Sequence, residues 1–106
     1  MAALPLHNIL FLDIETVPQS PSYIDLSDDW KKLWDTKSTS LAKYHEGQTN
    51  ETLYPRAGIY AEFGKVICIS CGVFSKDEVF RLTSFASHDE NEILRDFASV
   101  LDNFCN

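Results

Sequence analysis

Blocks of consecutive apolar residues along the chain predict three strands. Residues 9–12 (Ile-Leu-Phe-Leu) are apolar without a break, which predicts a short strand that is buried on both faces and therefore central in a sheet. A second apolar block predicts a strand over 65–74. Residues 79–85 are rich in strand-forming types and follow the polar turn 75–78, so we expect them to pair with the second strand as an antiparallel hairpin.

Between the first two strands the apolar residues follow the spacing of helices. A helix is predicted over about 23–36, with Ser27 near its start as a capping residue. Its apolar face is formed by Leu26, Trp30, Leu33 and Trp34. A second helix is predicted over about 52–63, with Pro55 in its first turn and Gly64 at its end. The path of residues 37–50 stays open.

The last part of the chain carries the clearest helical pattern. Its apolar positions are Ile93, Leu94, Phe97, Val100, Leu101 and Phe104. Ser87 and Glu90 have the spacing of a capping box before this helix. The predicted order is therefore strand, helical insertion at 19–63, strand, strand and amphipathic helix. We expect residues 1–106 to form one α/β domain with a mixed sheet of about three strands.

Composition and charge narrow the class of protein. A hydrophobic content of 44% is typical of a globular chain, and no apolar run reaches the length of a membrane span. The first residues lack the basic start and long apolar stretch of a signal peptide. The three cysteines, an odd number, fit a reducing compartment. A cytoplasmic location is the expectation.

Cys68 and Cys71 form a C-x-x-C pair, which is a spacing found in zinc and redox sites. Residues three apart on a strand point to opposite faces, so two thiols at this spacing on the second strand do not converge on one ligand. We therefore interpret both cysteines as small buried apolar residues.

The net charge of −7 argues against a general electrostatic attraction to nucleic acid. Basic residues are concentrated only around the first predicted helix, at Lys31, Lys32, Lys37 and Lys43. These lysines could guide a nucleic-acid strand while Trp30 or Trp34 stacks on bases. In the structural alternative, the tryptophans lie in the core and the lysines in solvent. This alternative is favoured for the tryptophans and, by a narrower margin, for the lysines.

Two acids directly after the first strand are the candidate site. Asp13 and Glu15 share a face if the strand continues, with Cα atoms about 6.6 Å apart. Both carboxylates could then meet one divalent ion or a closely spaced pair, and Mg²⁺ or Mn²⁺ would supply the counter-charge they need near a core. Pro18 ends the strand. The alternative is that the strand stops at Leu12 and the acids lie in a solvated loop.

Residues 11–16 (Phe-Leu-Asp-Ile-Glu-Thr) resemble the first motif of the DEDD-type 3′–5′ exonucleases, which have a ribonuclease H-like fold. More narrowly, the chain resembles predicted 3′–5′ exonucleases related to the exonuclease domain of family B DNA polymerases. This narrower resemblance rests on Val17-Pro18 after the motif and on residues 60–70, which begin Tyr-Ala-Glu-Phe-Gly-Lys. A helical insertion after the first strand is also part of it.

The resemblance implies a partial ribonuclease H-like fold and metal-dependent hydrolysis of phosphodiester bonds from the 3′ end of a nucleic acid, DNA rather than RNA. Asp13 and Glu15 would be catalytic residues that bind Mg²⁺ or Mn²⁺. Ile14 and Thr16 would contact the last nucleotide.

The second and third exonuclease motifs, which supply further aspartates and a tyrosine or histidine, are not found in these residues. We therefore expect weak activity or none from this chain by itself. It is either the N-terminal part of an exonuclease domain or a non-catalytic oligomerising or nucleic-acid-binding module on the same scaffold. A ribonuclease H-type endonuclease is a third alternative, which residues 60–65 disfavour. A partial fold leaves a sheet edge and core surface exposed, so we also expect a homodimer.

Overall fold

The computed structural model describes residues 3–105, and Met1, Ala2 and Asn106, which belong to the predicted domain range, lie outside the described residues. The strands and α-helices are, in order, β1 (Leu10–Pro18), α1 (Asp28–Leu41), α2 (Asn50–Leu53), β2 (Gly64–Phe74), β3 (Phe80–Ala86) and α3 (Glu90–Cys105). Short 3₁₀-helices cover Leu6–Asn8, Tyr23–Asp25 and Tyr54–Ile59. In the part of the chain described, no helix combines the length and apolar character needed to cross a bilayer.

The three strands form one open sheet in the order β1-β2-β3. β2 and β3 pair antiparallel as predicted, with a register that runs from Cys68 opposite Ala86 to Phe74 opposite Phe80. The expectation of an α/β chain with three strands is confirmed, but the sheet is antiparallel and not mixed. An antiparallel arrangement follows from the short polar turn after Phe74, because a parallel pair would need a long crossover.

The chain divides into two compact units, of which one contains the residues up to Glu15 and from Val66 onward, and the other Thr16–Lys65. The core of the first unit consists of Ile69, Cys71 and Ile93, with Leu10, Val66, Phe85, Phe97 and Val100 packed against it. Helix α3 thus covers one face of the hairpin. The predicted burial is confirmed for Cys71, whose thiol pKa is raised by desolvation, whereas Cys68 is only half-buried.

The position of β1 differs from the prediction. We expected a central strand buried on both faces, but β1 lies at the edge of the sheet and is exposed along most of its length. Leu12 and Ile14, which would be core residues of a central strand, remain 49% and 46% exposed. An apolar run is buried only where a second layer of the fold packs on it. Helix α3 packs on the hairpin of β2 and β3 and leaves most of β1 uncovered.

In the second unit the core forms around Trp34, which is fully buried. It packs with Leu26, Leu53, Tyr54, Ala57 and Phe63. The Trp34 indole N–H donates to the carbonyl of Asn50 at 2.8 Å, so its one polar atom is satisfied. Ser27 caps α1 as predicted by accepting the N–H of Trp30. The predicted apolar face is wrong at Leu33, which is 54% exposed, because the helix turns it away from Trp34.

The second predicted helix is much shorter than expected. α2 ends at Leu53, and the chain continues as a 3₁₀-helix over Tyr54–Ile59 and then a turn. Close approaches of backbone explain the tight path. A Cβ on Gly58 would lie 3.0 Å from the carbonyl carbon of Val17, and one on Gly64 would lie 2.7 Å from the carbonyl oxygen of Gly58. Gly64 therefore begins β2 at a point where a side chain has no room.

Helix α3 begins differently from the predicted capping box. The Asp89 carboxylate accepts the N–H of Asn91 at 3.0 Å, and Ser87 accepts the N–H of Asp89 at 3.0 Å. Glu90 is not used within the cap. Its carboxylate accepts the backbone N–H of Val66 at 2.6 Å and so joins the start of α3 to the start of β2. A charge-assisted bond of this kind is stronger than a neutral one.

We predict that Trp34→Phe destabilises the chain by about 1–3 kcal/mol, because it leaves the Asn50 carbonyl without its donor and removes buried volume. Leu33→Ala on the same helix is the matched control and should change the free energy of unfolding by less than about 0.5 kcal/mol. Urea denaturation followed by circular dichroism measures both. Equal effects would contradict the assignment of the core to Trp34.

Candidate metal-binding site on the first strand

The two acids lie within β1 and not in a loop after it. The strand runs from Leu10 to Pro18, so it passes through Asp13 and Glu15 and ends at the proline as predicted. Side chains alternate along a strand, which places both carboxylates on one face. Both residues are exposed. The loop alternative is therefore wrong, and the pair is presented by regular backbone.

The acids share their strand face with an aromatic cluster. Leu10 packs against the core on the helix side of the sheet, so Phe11 and the two acids face the other side. The Phe11 ring contacts Phe74 and Phe80 edge-on, with 5.9 Å between centroids in each case. Gly72 leaves the space that the Phe80 ring occupies, since a Cβ there would overlap it. The cluster fixes the start of β1 beside the hairpin.

The donor types at this site fit a hard divalent ion, but their number is small. Mg²⁺ and Mn²⁺ prefer carboxylate oxygens, and Mg²⁺ is commonly held by one or two carboxylates while it keeps several waters. Asp13 and Glu15 match that arrangement. Within residues 3–105 no group of three or more His, Cys, Asp or Glu side chains could hold a metal ion. The pair is therefore suited to a weakly held, largely hydrated ion, and a two-metal centre needs ligands beyond those described.

The two residues expected to contact nucleotide have different surroundings. Ile14 is exposed on the strand face opposite the acids. The Thr16 hydroxyl donates to the Gly58 carbonyl at 2.6 Å, so it ties β1 to the 3₁₀-helix within the second unit. The Thr16 side chain thus has a structural partner, a role that the sequence motif did not indicate.

A cleft in the second unit was not singled out by the sequence. It has a volume of about 450 Å³ and lies between α1 and the turn before β2. It is lined by Trp30, Leu33, Thr36, Lys37, Ser40, Glu62 and Phe63. The available signal was the helical spacing of Trp30, Leu33, Lys37 and Ser40, which form one stripe. Trp30 and Leu33 of that stripe are predicted to lie in the core, but the structure leaves Leu33 exposed and Trp30 half-buried.

A third group of polar residues has a structural role. The Asp35 carboxylate accepts from the Tyr23 hydroxyl at 2.8 Å and from the Asn50 amide at 2.7 Å. The hydrogen bond to Asp35 raises the pKa of Tyr23, with smaller contributions from desolvation and from the negative charge of Asp35. These contacts join the segments before and after α1, and they direct the carboxylate inward to neutral donors.

No protein-family model matches the chain, and no curated protein or solved structure is significantly similar to it.

We predict that Thr16→Val lowers the free energy of unfolding by about 0.5–1.5 kcal/mol, because the Gly58 carbonyl loses its hydroxyl donor while the β-branched shape is kept. Thr16→Ser retains the hydroxyl and is the matched control. Chemical denaturation of the three proteins measures the difference. If valine and serine behave alike, the hydrogen bond makes no net contribution.

Proposed function

We propose that the chain is the N-terminal part of a 3′–5′ exonuclease-like domain of ribonuclease H-like fold, in which β1 supplies a divalent-cation site for phosphodiester hydrolysis. Asp13 and Glu15 bind Mg²⁺ or Mn²⁺ in this proposal. The substrate is the 3′ end of a nucleic acid, DNA rather than RNA. Ile14 and Thr16 contact the terminal nucleotide through their backbone.

One observation carries the proposal. The Asp-Ile-Glu segment lies inside an ordered strand, so the two carboxylates project from one face and reach solvent together. An ion placed between them would coordinate oxygens from both without rearrangement of the backbone. The sequence resemblance is the reason for assigning phosphodiester hydrolysis to this arrangement. The element order, a strand, a helical insertion, a hairpin and a helix, is consistent with the N-terminal part of a ribonuclease H-like fold.

Two carboxylates bring one hydrated ion to the strand but do not complete a hydrolytic centre. Hydrolysis by two metal ions requires ligands that hold both ions and a group that orients the attacking water. The described residues offer no third acid at this position. The proposal therefore assigns the remaining ligands to another segment or another subunit, and it expects little or no hydrolysis by this chain alone.

We predict that Mn²⁺ binds the chain with a dissociation constant on the order of 0.1–1 mM, the range of weak divalent-ion sites built from few charges. Asp13→Asn and Glu15→Gln should each weaken binding about tenfold or more, since each removes one charge with little change in shape. Calorimetric titration measures the affinity. Asp77→Asn, which removes an equally exposed carboxylate from the turn after β2, is the matched control.

The same proteins are incubated with Mn²⁺ and a 5′-labelled single-stranded oligodeoxynucleotide. Mn²⁺ binding that depends on Asp13, without shortening of the oligonucleotide, supports a partly built site. Shortening from the 3′ end that depends on Asp13 supports completion of the site by a second subunit. If Mn²⁺ does not bind, or if Asp77→Asn weakens it as much as Asp13→Asn, the metal site on β1 is refuted.

The second candidate function is a non-catalytic oligomerising module on the same scaffold. It is favoured by apolar surface that the other elements of the first unit leave exposed. Ile14 on the edge strand and Leu94 on α3 are 46% and 44% exposed, and Leu12 and Leu101 are exposed as well. An edge strand with exposed apolar side chains is a natural site for pairing with another chain. A homodimer through β1 and α3 would bury this surface.

We predict that the chain sediments as a dimer at micromolar concentrations and that Ile14→Thr or Leu94→Gln weakens the dimer about tenfold. Both replacements suit their strand or helix while making the surface polar. Ile59→Thr, at an exposed position of the second unit, is the control and should leave the dimer unchanged. Analytical ultracentrifugation over a concentration series measures the equilibrium. A wild-type protein that stays monomeric at high concentration contradicts self-association.

A further inference from the structure

The two tryptophans of α1 have different environments, although the sequence gives them the same pattern. Trp34 is fully buried, so it cannot stack on a ligand. Trp30 is half-buried and lines the cleft of about 450 Å³ described above, which we call the Trp30 cleft. Its volume is within the range of pockets that bind small molecules, roughly 300–1,000 Å³.

The floor of the Trp30 cleft is aromatic and fixed by packing. The Trp30 ring meets Phe63 edge-on, with 5.8 Å between centroids, and Phe63 is itself buried against Trp34. Leu33, one turn further along the helix, is 54% exposed and extends the apolar wall. The part of the Trp30 side chain not covered by Phe63 therefore lines the cleft beside Leu33.

Charged and polar groups border this apolar floor. The Lys37 ammonium lies 3.6 Å from the Glu62 carboxylate and 4.6 Å from the centre of the Tyr60 ring. Lys32 is exposed one helical turn before Thr36, which lines the cleft, so its side chain borders the same side. The hydroxyl groups of Thr36 and Ser40 also line the cleft. A ligand here would meet an apolar surface first, and at the rim it would meet Lys32 and the ion pair of Lys37 with Glu62.

The distribution of charge separates the two units. Six of the nine basic residues lie in the unit Thr16–Lys65, where they nearly balance the acids, whereas the first unit holds three bases and nine acids. A polyanion is therefore repelled by the first unit and meets its least unfavourable surface on α1, where Lys31, Lys32 and Lys37 are close in sequence.

We propose that the Trp30 cleft binds an unpaired base of a single-stranded nucleic acid, with the base stacked on Trp30 and against Leu33. Lys32 contacts the phosphate on one side of that base, and Lys37 contacts the phosphate on the other side in exchange for its ion pair with Glu62. The inference rests on the proposed function in one respect, namely that the chain acts on nucleic acid. It goes further because it places the surface that binds single-stranded nucleic acid on the helical insertion, at a distance in sequence from Asp13 and Glu15.

A base fits these features better than an apolar side chain of a protein partner does. Stacking on an aromatic side chain is independent of base identity, because every base has a π face. An apolar anchor would gain nothing from the lysines at the border, whereas the phosphates that accompany each base can pair with Lys32 and can replace Glu62 as the partner of Lys37. Binding through one base and two phosphates is expected to be weak, sequence-independent and strongly salt-dependent.

The test measures fluorescence anisotropy of a labelled 15-residue oligo(dT) at low salt in the presence of EDTA, so that the metal site makes no contribution. Trp30→Leu should weaken binding about tenfold, whereas Trp30→Phe keeps a stacking ring and should retain most of it. Both replacements fill the apolar floor, so a purely structural role of Trp30 would not separate them. Equal unfolding midpoints in urea confirm that each variant is folded.

The charge control compares two lysines. Lys32→Glu should weaken binding and reduce the slope of log K against log salt by about 0.7 for each lost phosphate contact. Lys76→Glu makes the same change in net charge in the turn after β2 and should have a much smaller effect. Intrinsic fluorescence gives a further readout, since stacking should quench Trp30 and leave the buried Trp34 unaffected.

Three results would overturn the inference. The first is the absence of binding tighter than ordinary non-specific association, roughly 10⁻⁴ M. The second is equal affinity of Trp30→Leu and Trp30→Phe, or equal effects of the two lysine variants. The third is loss of a dimer in Leu33→Ala without any change in oligonucleotide binding, which would identify the occupant of the cleft as a second copy of the chain.

The two proposals fail independently. The double variant Asp13→Asn, Glu15→Gln should bind oligo(dT) at least as tightly as the wild type in EDTA, since it removes two negative charges. Trp30→Leu should bind Mn²⁺ like the wild type. Mn²⁺ binding without oligonucleotide binding refutes only the Trp30 cleft. Oligonucleotide binding at the cleft without Mn²⁺ binding refutes only the metal site.

Discussion

The edge position of β1 is the constraint on which the candidate chemistry depends. Because β2 pairs with only one side of β1, the outer backbone of the first strand is open to another strand. Its side chains are exposed along most of its length because no packed layer covers them. Exposure keeps the Asp13 and Glu15 carboxylates in contact with water. It also leaves them without the surrounding ligands and low dielectric that make a carboxylate pair bind an ion tightly.

The same exposure links the two candidate functions. Apolar side chains such as Ile14 and Leu94 remain uncovered for the same reason that the acids lack a third partner: the described chain supplies one helical layer on one face of the sheet. Any segment or subunit that covers the apolar surface beside β1 would also bring new side chains near the carboxylates. The two proposed functions are therefore linked at this strand.

The second unit owes its stability to different interactions. Its core is dominated by aromatic rings packed edge-on around Trp34, with the indole N–H satisfied by a backbone carbonyl. Aromatic side chains bury a large area for few residues, which is how an insertion of this size can form a core of its own. Placing one tryptophan at the centre leaves the other at the rim, where it lines a cleft.

The sequence alone determined the element order, the hairpin, the Ser27 cap and the end of β1 at Pro18, and it gave the shared face of Asp13 and Glu15 on the condition that the strand continues past Leu12. These features depend on local spacing, turn chemistry and the alternation of side chains, all of which can be read from neighbouring residues. Only the tertiary structure decided that β1 is an edge strand, that Leu33 is exposed, and that backbone crowding at Gly58 and Gly64 favours a 3₁₀ path. An apolar residue is buried only if a distant segment covers it, and no local pattern contains that information.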